Sequence, residues 1–173
     1  MGKRSDFKRV ARDAYDTPLE AVMALIPHVN AGQTFAEPCA GAGKLRDHLV
    51  QNAGMISVDA FDIEPRGPRI QRGDALSRRV RSEADVIITN PPWDRSLLHQ
   101  MIEVFRMQRP TWLLFDADWM HTRQSTPLMR YCSAIVSVGR VKWMPGTTMT
   151  GKDNCCWYQF THRPYRPQFF GRI

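Results

Sequence analysis

Apolar and polar positions along this chain fall into short solid blocks separated by amphipathic stretches. Asp85-Val86-Ile87-Ile88-Thr89 and Thr111-Trp112-Leu113-Leu114-Phe115 are near-continuous apolar runs. That is the pattern of strands buried on both faces. Residues 34–36 and 55–61 read as two earlier strands, and 69–72 as a short one. Residues 134–138 and 155–160 read as two later ones. Helical spacing appears between them. Ala21, Val22, Leu25 and Ile26 share one face, with Thr17 as the expected cap and Pro18 at the first helical position. Pro27 should end or distort that helix. Residues 44–52 and 96–107 also have helical periodicity, and 118–131 is helical in part. Strands alternating with helices predict an α/β domain with a mainly parallel sheet flanked by helices. No convincing helix separates the last two predicted strands, so they are expected to pair antiparallel.

The chain has 173 residues, enough for one domain with a real core. Residues 1–14 read as a basic flexible arm, 15–162 as the folded domain, and 163–173 as a loosely packed or extended tail rich in Pro, Arg and aromatics. No apolar run approaches the ~20 residues of a membrane span. The first residues lack the apolar stretch of a secretion signal. A cytoplasmic protein is the expectation, of bacterial origin or phage-encoded.

Charge sharpens this picture. The formal net charge is +7, with Arg and Lys concentrated near the start, over residues 66–81, and at the end. A balance of this kind favours a polyanionic partner. The four cysteines form no C-x-x-C pair, and His residues lack zinc spacing. Free thiols and no metal are expected.

Two segments carry the candidate chemistry. The first is Glu37-Pro38-Cys39-Ala40-Gly41-Ala42-Gly43, between a strand and a helix, where open α/β sheets bind ligands. A P-loop would need glycine at Pro38 and Ser or Thr at Leu45. A dinucleotide loop would need a third glycine at Arg46. S-adenosylmethionine remains, which has no phosphate to cradle. Glu37 would help place its ammonium. Asp62, with Ile63 beside it, ends the second strand and would accept from the ribose hydroxyls. Asp74, with Ala75, follows the third strand and would accept from the adenine amino group. Singly, Asp62 reads as well as a surface-turn acid, and Asp74 as a helix cap. Their order at consecutive strand ends favours a ligand.

The second segment is Asn90-Pro91-Pro92-Trp93, directly after the run 85–89. The prolines fix the backbone and remove donors. Carbonyl groups and an indole face are left for a planar group bearing an amino nitrogen. The same segment also reads as a Pro-rich turn closing a strand.

Together these segments make the chain resemble the class I S-adenosylmethionine-dependent methyltransferases, and more narrowly the N6-adenine enzymes. Glu37 to Gly43 is similar to the family's cofactor loop. Asn90-Pro91-Pro92-Trp93 is similar to its catalytic [DNS]-P-P-[YFW] tetrapeptide, with Trp in place of the commoner Tyr or Phe. Tyr15-Asp16-Thr17-Pro18 resembles the motif that closes over the methionine part of the cofactor. The order of the three motifs is that of gamma-type members. The chain's length and the segment from Gly151 to Tyr158 resemble small phage or prophage methyltransferases.

The resemblance implies a single Rossmann-like domain and S-adenosylmethionine as cofactor. It implies direct methyl transfer to adenine N6, in DNA before RNA. Asn90 and the Pro91 carbonyl would accept the amino hydrogens, Pro92 would hold the turn, and Trp93 would stack on the base. Arg140, Lys142 and Lys152 are candidates for phosphate contacts, although solvated surface charge is the simpler reading of any one. Family members that modify DNA usually carry a recognition region, and the length leaves no room for one. A recognition subunit or a homodimer is therefore an expected partner. Two other functions compete. One is a protein glutamine N5-methyltransferase, whose site also uses Asn-Pro-Pro before an aromatic. The other is a cofactor-binding subunit that needs a partner. Cys39 reads as a packing residue rather than a nucleophile. Trp112, Trp119, Trp143 and Trp157 read as core or rim rather than base platforms.

Overall fold

The computed structural model describes residues 15–144, 146 and 150–172. The expected basic arm, residues 1–14, lies outside the described residues. Among the described residues, one sheet of eight strands runs in the order β3-β2-β1-β4-β5-β7-β6-β8. The strands are β1 (Thr34–Glu37), β2 (Ile56–Asp62), β3 (Gln71–Arg72), β4 (Val86–Thr89), β5 (Thr111–Asp116), β6 (Cys132–Arg140), β7 (Asn154–Phe160) and β8 (Gln168–Phe170). Every neighbouring pair from β3 across to β5 is parallel. β7 is antiparallel to both β5 and β6. The expected antiparallel pairing of the last two predicted strands is therefore present, with β7 inserted between β5 and β6.

Residues on alternate positions of the central strands feed two cores. Ile87, Leu113, Phe115 and Tyr158 face one side, while Val86, Ile88, Trp112, Leu114 and Trp157 face the other. Both faces are covered, so the central strands are solidly apolar. Helix α3 (Arg95–Arg106) covers the first face. It buries Leu98, Met101, Ile102 and Phe105, the i, i+3, i+4, i+7 stripe of an amphipathic helix. Its cap is Asp94, whose side chain accepts from the Leu97 N–H at 3.0 Å. Helices α1 (Leu19–Met23) and α2 (Lys44–Ala53) cover the second face with Ala21, Val22, Leu45 and Leu49.

Two expectations, on Thr17 and on the tail, need correction. Thr17 does not cap α1: Pro18 holds the cap position in extended conformation, and no side chain bonds the helix start. Thr17 is instead buried. Residues 118–131 are helical in part, as expected. They make 3-10 turns at Ala117–His121 and Arg123–Ser125, then the short helix α4 (Thr126–Met129). The tail is not merely extended, because Gln168–Phe170 pairs parallel with Ala134–Val136 as the edge strand β8. Three residues offer too little pattern to announce a strand, and pairing to β6 supplies the missing hydrogen bonds.

No helix forms between β3 and β4. Asp59 holds that segment instead. Its carboxylate, buried at the sheet edge, accepts from Arg78 Nη2 at 2.8 Å and from the Arg81 N–H at 3.1 Å. Part of the central basic run is thereby consumed inside the protein. Among the described residues, no helix is long and apolar enough to cross a membrane.

Candidate active site

Parallel strands bring their C-terminal ends to one rim, and the predicted segments meet there. The glycine loop follows β1, Asp62 ends β2, Asp74 follows β3 and Asn90 follows β4. Side chains from all four line one cavity of about 190 Å3. Tyr15 and Thr17 enter it from the chain before α1, and Glu37, Pro38, Cys39, Ala40 and Gly41 from the loop. Asp62 and Ile63, Asp74 and Ala75, and Asn90 and Pro92 complete the expected set. Pro18 and Gly43 do not line it. Gly43 caps α2 with φ +84°, a conformation that suits glycine.

Hydrogen bonds tie the strand ends together. Asp62 Oδ2 accepts from the Gly41 N–H at 2.8 Å, and its Oδ1 from the Glu64 N–H at 2.8 Å. Asp62 therefore holds the glycine loop in place, and each oxygen keeps a further lone pair for a ligand. The Cys39 N–H donates to Thr89 Oγ1 at 3.2 Å, fastening the loop to the end of β4. Asp74 Oδ1 accepts from the Leu76 N–H at 2.9 Å, closing a turn that no helix follows.

Glu37 is the most costly group in the cavity. It is 2% exposed, and its Oε2 has no hydrogen-bond partner among the described residues. Burial pushes its carboxyl well above the usual carboxylate range, against the weaker effect of a backbone N–H bond from Arg46. An orphaned buried carboxyl oxygen facing a cavity fits a cationic ligand group. A stability prediction follows for the ligand-free protein. The folded state keeps the Glu37 proton where the unfolded chain, with a carboxyl near ~4.3, has released it. Stability should therefore fall as pH rises from that value toward the raised folded one. Glu37→Gln should melt at higher temperature than the parent at about pH 7 and show a flatter pH dependence in thermal melts. A lower melting temperature for Gln there would show that the carboxyl is not a buried cost.

Several lining residues escaped the sequence reading. Lys44, Leu45, Glu64, Arg66, Leu97 and Met101 also face the cavity. Arg66 spans its mouth: Nη2 pairs with Asp16 Oδ1 at 2.7 Å, and the Arg66 N–H donates to the Gly41 carbonyl at 2.9 Å. Gly67 packs so closely that an added Cβ would lie 2.6 Å from the Ala42 carbonyl oxygen. The only sequence signal there was Arg66-Gly67-Pro68, which reads as an ordinary turn.

The tetrapeptide is held by its tryptophan. Trp93 Nε1 donates to the Leu114 carbonyl at 3.2 Å and to Asn90 Oδ1 at 3.3 Å. An indole N–H only donates, so the Asn90 atom facing it must be the oxygen. Trp143 packs edge-on against Trp93, with ring centres 5.7 Å apart, and Tyr15 lies 6.2 Å from Trp143. Trp112, Trp119 and Trp157 are buried in the core, and Trp143 is a rim residue. Cys39 is a thiol pushed upward by burial, with Asp62 adding to the effect, and is a poor nucleophile. Arg140 ends β6, and Lys142 and Lys152 lie in the 141–153 connection that follows it, at the same rim of the sheet, where Asn154 pairs with Arg140. Among the described residues, no group of three His, Cys, Asp or Glu could hold a metal ion.

No family model matches the sequence, and no curated protein matches it. Solved structures do. A candidate class I S-adenosylmethionine-dependent methyltransferase from Listeria monocytogenes is similar with TM-score 0.60 at 9% identity, over 93% of this chain and 67% of that one. A candidate RNA methyltransferase from Pyrococcus horikoshii matches with TM-score 0.59 at 15% identity, over 93% and 90%. A dimethyladenosine transferase from Plasmodium falciparum matches with TM-score 0.54 at 14% identity, over 85% of this chain and 62% of that one. The fold is that of the Rossmann-like methyltransferases.

Proposed function

We propose that this protein is an S-adenosylmethionine-dependent methyltransferase that methylates adenine N6 in nucleic acid, DNA before RNA. The observation that carries this reading is the meeting of Glu37, Asp62, Asp74 and Asn90 around one cavity. Glu37, Asp62 and Asp74 each offer an acceptor to a different part of one ligand, and Asn90 offers one to the second reactant. Glu37, with its orphaned oxygen, suits the ammonium. Asp62 suits the ribose hydroxyls and Asp74 the adenine amino group. Ile63, 54% exposed, gives a purine ring an apolar surface to lie on. Lys44 and Arg66 line the same cavity and suit the carboxylate. The dimethyladenosine transferase among the similar folds supports an adenine amino group as acceptor.

When bound, the cofactor supplies an electrophilic methyl group on a sulfonium. The work of the protein is on the other reactant. An exocyclic amino nitrogen is a weak nucleophile because its lone pair is delocalised into the ring. Asn90 Oδ1 and the Pro91 carbonyl accept its two hydrogens. As the nitrogen turns tetrahedral and gains positive charge, both bonds strengthen, which is stabilisation specific to the transition state. The new nitrogen–carbon bond forms as the methyl–sulfur bond breaks, the neutral thioether leaves, and the surplus amino proton passes to water. Trp93 fixes the Asn90 amide so that its oxygen is presented, and Pro92 holds the turn. Arg140, Lys142 and Lys152 would take backbone phosphates. A target inside a duplex would be flipped out.

The test is incubation with methyl-labelled S-adenosylmethionine and separate DNA, RNA and protein fractions, with mass spectrometry of the modified nucleoside. N6-methyladenine in a nucleic-acid fraction is expected. Label confined to protein would overturn the reading in favour of a glutamine methyltransferase. In the same preparation, Glu37→Gln should weaken cofactor binding about tenfold, the cost of losing a hydrogen bond to a charged group.

A further inference from the structure

The methyltransferase reading leaves one segment without a role, the tail rich in Pro, Arg and aromatics. Every residue from His162 to Phe169 is exposed. Tyr165 is 61% exposed and Phe169 is 64% exposed. The segment is nevertheless held in place. The Thr161 N–H donates to the Tyr131 carbonyl at 2.9 Å, and the Tyr165 N–H to the Arg130 carbonyl at 2.7 Å. β8 pairs with Ala134–Val136. Phe170 packs on the second core, its ring 4.4 Å from that of His28. Side chains alternate along a strand, so Phe169 faces the other way, into solvent.

Charge indicates what such a surface takes. From Asn154 to Ile173 the sequence holds Arg163, Arg166 and Arg172 but no Asp or Glu. Among the described residues, none of these arginines forms an ion pair. Arg66 and Arg78 differ, since Asp16 and Asp59 consume their charge. β8 runs parallel to β6, so the tail leads toward the rim where β6 ends at Arg140. Arg172 lies near that end: a Cβ added at Gly139 would be 3.0 Å from its Nη1. From Tyr165 to Arg172 an extended chain covers up to about 23 Å, at ~3.3 Å per residue. A second copy adding a strand here is disfavoured. β8 has three residues, Pro164 and Pro167 precede it, and arginines flank it. These features guard a sheet edge against pairing.

Resting on the methyltransferase reading, we infer that residues 163–172 form a track for single-stranded nucleic acid along the sheet edge, leading to the rim of the active site. Tyr165 and Phe169 stack on bases, and Arg163, Arg166 and Arg172 take phosphates. Only unpaired bases offer a free face to these rings, which selects a single strand over a duplex. Every base has such a face, so the track holds a strand without reading its sequence. The strand passes from Arg172 to Arg140 and the rim.

The experiment measures binding of fluorescent single strands to the full chain by anisotropy, with S-adenosylhomocysteine present. The strands are about four and about twenty nucleotides long, each with one adenine. The parent should bind the long strand at least about tenfold more tightly than the short one. Tyr165→Leu with Phe169→Leu keeps apolar side chains but removes the stacking faces, and should cut that gain below about threefold. Tyr165→Trp with Phe169→Trp should retain it, which separates lost stacking from lost folding. Arg163→Gln with Arg166→Gln should flatten the slope of log affinity against log salt by about 1.4 on the long strand. A gain that survives the leucine pair, or an unchanged slope in the glutamine pair, would overturn the track and leave the methyltransferase reading standing. So would a parent dimer in sedimentation that the leucine pair dissociates with strand affinity unchanged, because the edge would then serve a second copy. Absence of methyl transfer from the parent to any nucleic acid would overturn both.

Discussion

Asn90→Ala should lower methyl transfer by roughly a hundred- to a thousandfold while leaving cofactor binding within about threefold. The asymmetry follows from where Asn90 sits. It lines the larger cavity together with Glu37, Asp62 and Asp74, the polar anchors proposed for the cofactor. Removing its amide takes away one acceptor for the reacting amino group and leaves those anchors intact. Trp93 Nε1 retains the Leu114 carbonyl as partner, so the turn should keep its shape. Single-turnover assays and calorimetry with S-adenosylhomocysteine measure the two quantities separately. A collapse of cofactor binding with residual turnover would reverse the assignment, making Asn90 a cofactor anchor rather than the acceptor for the amino group.

Trp157→Ala should destabilise the protein by about 3–5 kcal/mol, the usual cost of deleting a buried large aromatic side chain. Trp157 is 0% exposed on β7, in the core beneath α1. Its Nε1 donates to the Ala21 carbonyl at 2.8 Å. This bond joins the sheet to the helix that follows Tyr15 and Thr17, two residues at the cavity. Cofactor binding should therefore weaken along with stability, although Trp157 touches no ligand. Trp157→Phe retains most of the volume and loses the bond, so about 1–2 kcal/mol is expected for it. Denaturant melts and calorimetry check both. A stable Trp157→Ala protein with unchanged cofactor affinity would show that α1 is held by other contacts.

Much of the candidate site was legible before any coordinates. Glu37, Gly41, Asp62, Asp74 and Asn90 were found because they stand at ends of recognisable strands, and parallel strands deliver their ends to one rim. Arg66 and Gly67 were not found. Their place depends on a loop folding back over Gly41, and nothing in a Arg-Gly-Pro turn announces that. The tail was legible only as a composition. Its pairing with β6 is what turns Phe170 inward and leaves Phe169 outside. The central arginines also changed meaning. Arg78 is bound to Asp59 and lies over the Phe61 ring, 4.2 Å from its centre.

By itself, the sequence determined the alternating α/β plan, the buried central strands and the segments that meet at the cavity. These are local properties: apolar runs, helical spacing, glycine and proline placement. Tertiary structure decided what no local pattern encodes. It seated β7 between β5 and β6, added β8 to the edge, and turned the Glu37 oxygen inward without a partner among the described residues. Burial and the absence of a partner are properties of an enclosed space. Such a space exists only after distant segments have packed around it.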